Sequence, residues 1–167
     1  VEKSIKGIRF LTREEQLKFL KYCENNWYYE MFYIMFFSGL RIGEVGGLSW
    51  DDVDFEDRSI NIHHSLSNIY NKGEKILRLV SPKTPNSYRK IPFTADVEKM
   101  FLSQKNKHDK LKRELRNRWR AADDLGNLVF VTTMGSPVTR YIADKETRKI
   151  VSDINMDESI EATRESR

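Results

Sequence analysis

The strongest constraint on the fold is the run Met31-Phe32-Tyr33-Ile34-Met35-Phe36-Phe37, which is apolar on every side of a helical wheel. Such a helix is stable only when other elements surround it, so the rest of the chain has to pack around this segment. Gly39 stops it, and Arg41 then sets a guanidinium beside the expected core. An unpaired charge there is costly, so an anionic partner is expected. Two partners are open. Glu44 lies three residues on and on the same helical face, which would make Arg41 half of a local ion pair. A ligand phosphate is the other, because the planar fork of arginine meets it with two hydrogen bonds.

The chain has 167 residues, 39% of them hydrophobic, enough for one core and one globular domain. No apolar run reaches the length that spans a bilayer. The single cysteine, Cys23, excludes an internal disulfide and reads as a core residue, which fits a reducing cytoplasm. A net charge of +4 is compatible with a nucleic-acid partner without requiring one. The chain starts at Val1 and ends in a charged tail, so a piece of a longer protein is expected.

Taken in order, Thr12 and Glu15 form a capping box that opens a helix with the stripe Gln16, Phe19, Leu20 and Cys23. The buried helix follows over about Trp27 to Ser38. After Arg41 a short helix ends near Gly46-Gly47, and Asp51, Asp52 and Asp54 lead outward through a turn. The period then becomes alternating. Ile60 to Leu66, Lys75 to Val80 and Tyr88 to Phe93 read as three strands, most simply one antiparallel sheet. Between the last two lies Ser81 to Ser87, a proline-stiffened loop whose only charge is Lys83. It is either a solvated loop lysine or a cation presented on a probe. A long helix is predicted from Ala95 to Arg120, with Val97, Phe101, Leu111, Leu115 and Trp119 on one stripe. Its other faces carry Lys105, Lys107, Lys110, Lys112, Arg113, Arg116, Arg118 and Arg120, either a contact surface for a polyanion or a solubilising face. A short strand over Leu128 to Thr132 and a helix over Thr139 to Ile154 complete the reading. Residues 156–167 form a charged, flexible tail.

Several site types are excluded by spacing. Gly43, Gly46 and Gly47 lack the pattern of a phosphate loop. His63 and His64 are adjacent, which on a strand sends them to opposite faces, so they do not share a metal. The Asp51, Asp52 and Asp54 cluster could suggest a metal-dependent nuclease, but it sits at a helix-to-strand turn, where aspartate is common for backbone reasons. What remains is Arg41, Lys83 and a basic helix, a set suited to binding a phosphodiester and stabilising charge as its phosphorus is attacked. It lacks a nucleophile.

The boxes Gly39-Leu40-Arg41-Ile42-Gly43-Glu44, Trp50-Asp51-Asp52-Val53-Asp54, Pro82-Lys83-Thr84 and Ser87-Tyr88-Arg89-Lys90-Ile91-Pro92 occur in order. In this the chain resembles the catalytic domain of the tyrosine recombinases, the phage integrase family, and most closely the integrases of conjugative transposons. The resemblance covers nearly the whole chain. It implies a mainly α domain with a small three-stranded antiparallel β-sheet that clamps duplex DNA. It also implies strand cleavage and rejoining through a 3′-phosphotyrosine, with no metal and no cofactor, and a tetramer assembled on paired DNA sites. A bacterial, cytoplasmic and nucleoid-associated protein is implied, active in integration and excision of a mobile element. By the same resemblance Arg41 is a catalytic arginine, Glu44 supports it, and Lys83 protonates the departing 5′-oxygen. Arg89, Lys90, Lys105, Lys112, Arg116 and Arg120 are expected as DNA contacts. The family's later His-x-x-Arg box and its nucleophilic tyrosine are missing. None of His63, His64 and His108 has an arginine three residues on, and Tyr141 precedes the place where the box belongs. Residues 1–155 are therefore expected to be the first portion of the catalytic domain, binding DNA without cutting it. The alternative is a non-catalytic DNA-binding or regulatory protein on the same fold.

Overall fold

A computed structural model describes residues 11–71, 74–81, 88–120 and 125–165. The expected lead-in over residues 1–9, Lys72-Gly73 of the hairpin turn, Lys83 with its loop, and residues 121–124 lie outside them.

Helix α1 (Arg13–Cys23) opens with both halves of its capping box: the Glu15 N–H donates to Thr12 Oγ1 at 3.2 Å, and the Thr12 N–H donates to Glu15 Oε2 at 2.8 Å. Phe19, Leu20 and Cys23 form its buried face. Helix α2 (Tyr29–Ser38) places Met31, Phe32 and Ile34 in the core and ends at Gly39, whose φ of 66° is the left-handed turn that glycine adopts without strain. Contrary to the reading of its sequence, α2 is not buried all round. Tyr29, Tyr33 and Phe37 form a stripe, with ring centroids 6.1 and 4.5 Å apart and Phe37 54% exposed. Helix α1 and a later helix pack on its other sides, and these rings shield one another instead.

Helix α3 (Ile42–Gly46) is short and closely packed. A Cβ on Gly46 would stand 2.6 Å from the Val138 carbonyl oxygen, and one on Gly47 would stand 2.9 Å from the Leu66 nitrogen. The glycines that lack phosphate-loop spacing thus let this helix touch neighbouring backbone directly.

The alternating stretch from Ile60 to Leu66 is two strands rather than one. Strand β2 (Ser59–Ile62) lies between β1 (Val53–Asp54) and a third strand, and β3 (Ser65–Asn71) pairs separately with β4 (Glu74–Val80) in a two-stranded ladder. The third member of the first sheet is β5 (Arg89–Pro92), antiparallel to β2 with Ile62 opposite Arg89. A three-stranded antiparallel sheet is therefore present, built from β1, β2 and β5. The break falls at His63-His64 because the two halves serve different cores. Ile60 and Ile62 enter the main one, whereas Leu66 joins Leu125, Leu128 and Val131 in a second, with Leu77, Leu79, Leu111 and Trp119 against it.

Helix α4 (Ala95–Leu115) is capped by Thr94 and passes through a 3₁₀ turn over Arg116–Arg118, five residues short of its predicted end. Its buried stripe runs Val97, Phe101, Gln104, His108 and Leu115, so two polar residues occupy core positions that the apolar pattern passes over. Gln104 donates to the Val129 carbonyl at 2.9 Å, while His108 lies between the rings of Trp50 and Trp119, 6.2 and 5.2 Å away. The predicted strand over Leu128 to Thr132 is instead a buried segment held by isolated bridges, Ser49 with Leu128 and Val131 with Pro137. Helix α5 (Arg140–Glu165) runs past Ile154 through residues expected to be a flexible tail. Partners on α1 account for the extension: the Tyr22 hydroxyl donates to Asp157 at 2.8 Å, and Lys18 pairs with Glu158.

Two outcomes follow from this packing. Gly46→Ala is expected to lower stability by about 1–3 kcal/mol, because the Val138 backbone does not yield. Gly43→Ala meets only the Ser65 hydroxyl, which rotates away, and gains helix propensity, so it should stay within about 0.5 kcal/mol of the parent chain in thermal unfolding. Second, burial pushes the His108 imidazole below its ordinary range, against the opposing pull of Asp109, so the folded state holds it neutral. Between the ordinary histidine value of about 6.5 and that lowered value the unfolded chain binds the extra proton, and stability falls as pH drops through this window. His108→Phe should flatten that part of a denaturation-versus-pH profile.

Candidate phosphate-binding site

The expected site begins where α2 gives way to α3. Gly39 turns the chain, and Arg41 becomes the residue that caps α3, in extended conformation at φ −77° and ψ 150°. Its backbone N–H donates to Glu44 Oε2 at 2.8 Å. The glutamate thus fastens the arginine's main chain, as the third residue of a capping box does. The side chain behaves differently from the sequence expectation. Arg41 is not lodged beside the core; its side chain is 78% exposed, and Nη1 stands 3.5 Å from Glu44 Oε1.

Glu44 is the buried member, its side chain 8% exposed. Its principal partner comes from β5, 45 residues away: Arg89 Nη1 donates to Oε1 at 2.7 Å and Nη2 to Oε2 at 2.8 Å, a two-pronged contact. Burial alone would raise the Glu44 pKa, but the Arg89 hydrogen bonds, the Arg41 N–H and the charges of both arginines outweigh it and hold the carboxyl below its ordinary value. Because the folded value is depressed, this contribution to stability is complete above the ordinary carboxylate range and is lost as pH falls through the lowered value. Hydrogen bonding to Glu44 in turn raises the Arg89 pKa.

Arg41, Glu44 and Arg89 therefore form one cluster, two guanidiniums around one carboxylate with a surplus positive charge on the exposed side. Arg89, expected as a DNA contact, spends two donors inside the protein. No signal in the sequence marks this, because a charge on a strand does not distinguish an internal partner from an external one. Lys90 is the next residue on the strand and faces the other way, paired with Asp57.

The remaining basic residues belong to α4 and the turn after it. Lys105, Lys112, Arg116 and Arg120 are exposed. Lys105 lies 5.8 Å from the centre of the Trp50 ring, and Lys112 lies 5.9 Å from that of Trp119. Lys107 is structural. It pairs with buried Glu30 at 2.6 Å and donates to the Trp27 carbonyl, so the basic face is smaller than its sequence implies. Tyr141, on the first turn of α5, is 76% exposed. His63 and His64 sit at the strand break, both exposed, their rings 6.3 Å apart. Among the described residues no group of histidine, cysteine, aspartate or glutamate is placed to hold a metal ion, and no helix is long and apolar enough to cross a membrane.

The fold has solved counterparts. The integrase of transposon Tn1549, in complex with transposon right-end DNA, superimposes with a TM-score of 0.78 at 24% identity, covering 94% of this chain and 48% of that one. The same integrase in complex with circular intermediate DNA gives 0.75 at 25% identity, covering 94% and 49%. By sequence, the transposase from transposon Tn916 of Enterococcus faecalis is 35% identical over 95 residues, 54% of this chain and 23% of that protein. The ICEBs1 integrase of Bacillus subtilis strain 168 is 30% identical over 112 residues, 66% and 29% respectively. The chain thus spans about half of the solved structures and under a third of these curated relatives. The profile of the phage integrase family matches residues 9–164, from before α1 into the last turns of α5. This chain belongs to the phage integrase family, the tyrosine recombinases.

Proposed function

We propose that these residues are the first portion of a recombinase catalytic domain, serving site-specific integration and excision of a mobile element. The observation that carries the reading is Arg41, a guanidinium fastened at its main chain and exposed at its head, as a ligand for a non-bridging phosphate oxygen must be. In this reading Arg41 holds the scissile phosphate of duplex DNA and stabilises the charge that develops as phosphorus is attacked. Lys83 delivers a proton to the departing 5′-oxygen, and a tyrosine supplied from outside these 167 residues forms the 3′-phosphotyrosyl bond. The reverse attack by a 5′-hydroxyl rejoins the strand. Neither metal nor cofactor takes part. Lys105, Lys112, Arg116 and Arg120 contribute weaker backbone contacts, residues 1–155 supply the part of the domain argued for above, and assembly of the complete protein as a tetramer on paired sites belongs to the same proposal. So does a cytoplasmic, nucleoid-associated location.

The chain alone is expected to bind duplex DNA weakly and in a salt-dependent way, without forming a covalent adduct on a nicked suicide substrate. Denaturing gel electrophoresis checks the second point, and an adduct mapping to Tyr141 would overturn the assignment. Salt-independent binding would count against the first. In a recombination-competent protein containing this domain, Lys83→Ala should slow cleavage by about 10²-fold or more with little change in DNA affinity, as loss of a general acid does. A loss confined to affinity would make Lys83 an ordinary phosphate contact.

A further inference from the structure

Arg89 was expected to face DNA, yet both of its terminal nitrogens are committed to Glu44. The Glu44 carboxylate is buried and lies between two guanidiniums, with Oε1 2.7 Å from Arg89 and 3.5 Å from Arg41. The two contacts are unequal. Arg89 makes two short, aligned hydrogen bonds, whereas the Arg41 head group is beyond hydrogen-bond distance and mostly in solvent.

From this inequality we propose that Arg89 is a positioning residue for Arg41. It neutralises Glu44, and so keeps the carboxylate from drawing the Arg41 guanidinium inward and away from a phosphate. Without Arg89, Glu44 would be a buried carboxylate with one cation in reach, and the cost of leaving it unpaired would close the 3.5 Å gap. The Arg41 fork would then be occupied by its own protein. Arg89 also stands at the start of β5, opposite Ile62, so the neutralising charge is fixed by sheet register rather than carried on a mobile side chain alone. The inference rests on the phosphate reading of Arg41 and deepens it: Arg89 serves the phosphate without touching it.

The test is binding of the 167-residue chain to a short fluorescein-labelled duplex, followed by anisotropy across a salt series, with thermal unfolding recorded for every variant. Arg41→Ala should make the log–log salt slope shallower by about one, the loss of one phosphate contact. If Arg41→Ala leaves slope and affinity unchanged, the phosphate reading itself fails, and the inference with it. Given that Arg41 effect, Arg89→Ala should reproduce it, and the double variant should lose no more than either single one. Glu44→Gln introduced beside Arg89→Ala should restore the parent slope, because the neutral amide still accepts the Arg41 N–H but no longer captures the guanidinium. A merely structural role lowers the unfolding temperature without moving the slope, and that result overturns the proposal. Loss of a further full unit on top of Arg41→Ala, or no rescue by Glu44→Gln, would make Arg89 a direct phosphate contact and also overturn it. Arg89→Gln, closer in size, carries the same expectations if Arg89→Ala does not fold.

Discussion

One buried carboxylate organises the surface around it. Glu44 joins the turn after α2, the short helix α3 and strand β5 through an N–H and a two-pronged guanidinium contact. Removal of Arg89 would leave the charge undercompensated, because the Arg41 head group stands 3.5 Å away and mostly in solvent. The carboxylate thereby fixes a strand 45 residues away to the turn and helix that carry it, and it does so by satisfied polar bonds rather than by apolar area. Around it the glycines of α3 leave no side-chain cushion, so the helix rests on the backbone near Leu66 and Val138.

Much of this was legible in the sequence where a local rule decides the outcome. The Thr12 and Glu15 box starts α1, Gly39 ends α2, and Cys23 is fully buried, its thiol pushed up to about 12 by burial and by Glu30 and Glu146. The family was legible too, from boxes in order. The misreadings came where tertiary context outweighs local pattern. Alternation through Ile60 to Leu66 does not reveal that two cores divide it at His63-His64, and neighbouring β-rich runs do not reveal which strands pair. His108 and Gln104 occupy core positions of α4 because their partners, two tryptophan rings and a carbonyl, arrive from other elements. The charges after residue 155 suggest an unstructured tail, although α1 supplies partners for Asp157 and Glu158.

The site itself was legible in half. Arg41 and Glu44 were recognised as neighbours, but their geometry was anticipated in the wrong sense: the side-chain pair is the weaker link, and the N–H of Arg41 is the stronger. Arg89 reads from the sequence as a cation for an external partner, since sequence shows a charge without showing where it is neutralised. The same applies to Lys107, whose counter-charge, Glu30, lies 77 residues upstream.

The break between β2 and β3 has a consequence for variation within the fold. Ile62 keeps its register with Arg89 in one sheet, while the β3–β4 ladder is a separate two-stranded unit from Ser65 to Val80. Residue pairs can be added to or removed from the far end of that ladder without shifting Arg89 against Glu44. The far end of the ladder, where Asn71 stands opposite Glu74, is thus remote in register from the base that holds Arg89 against Glu44, and hence Arg41.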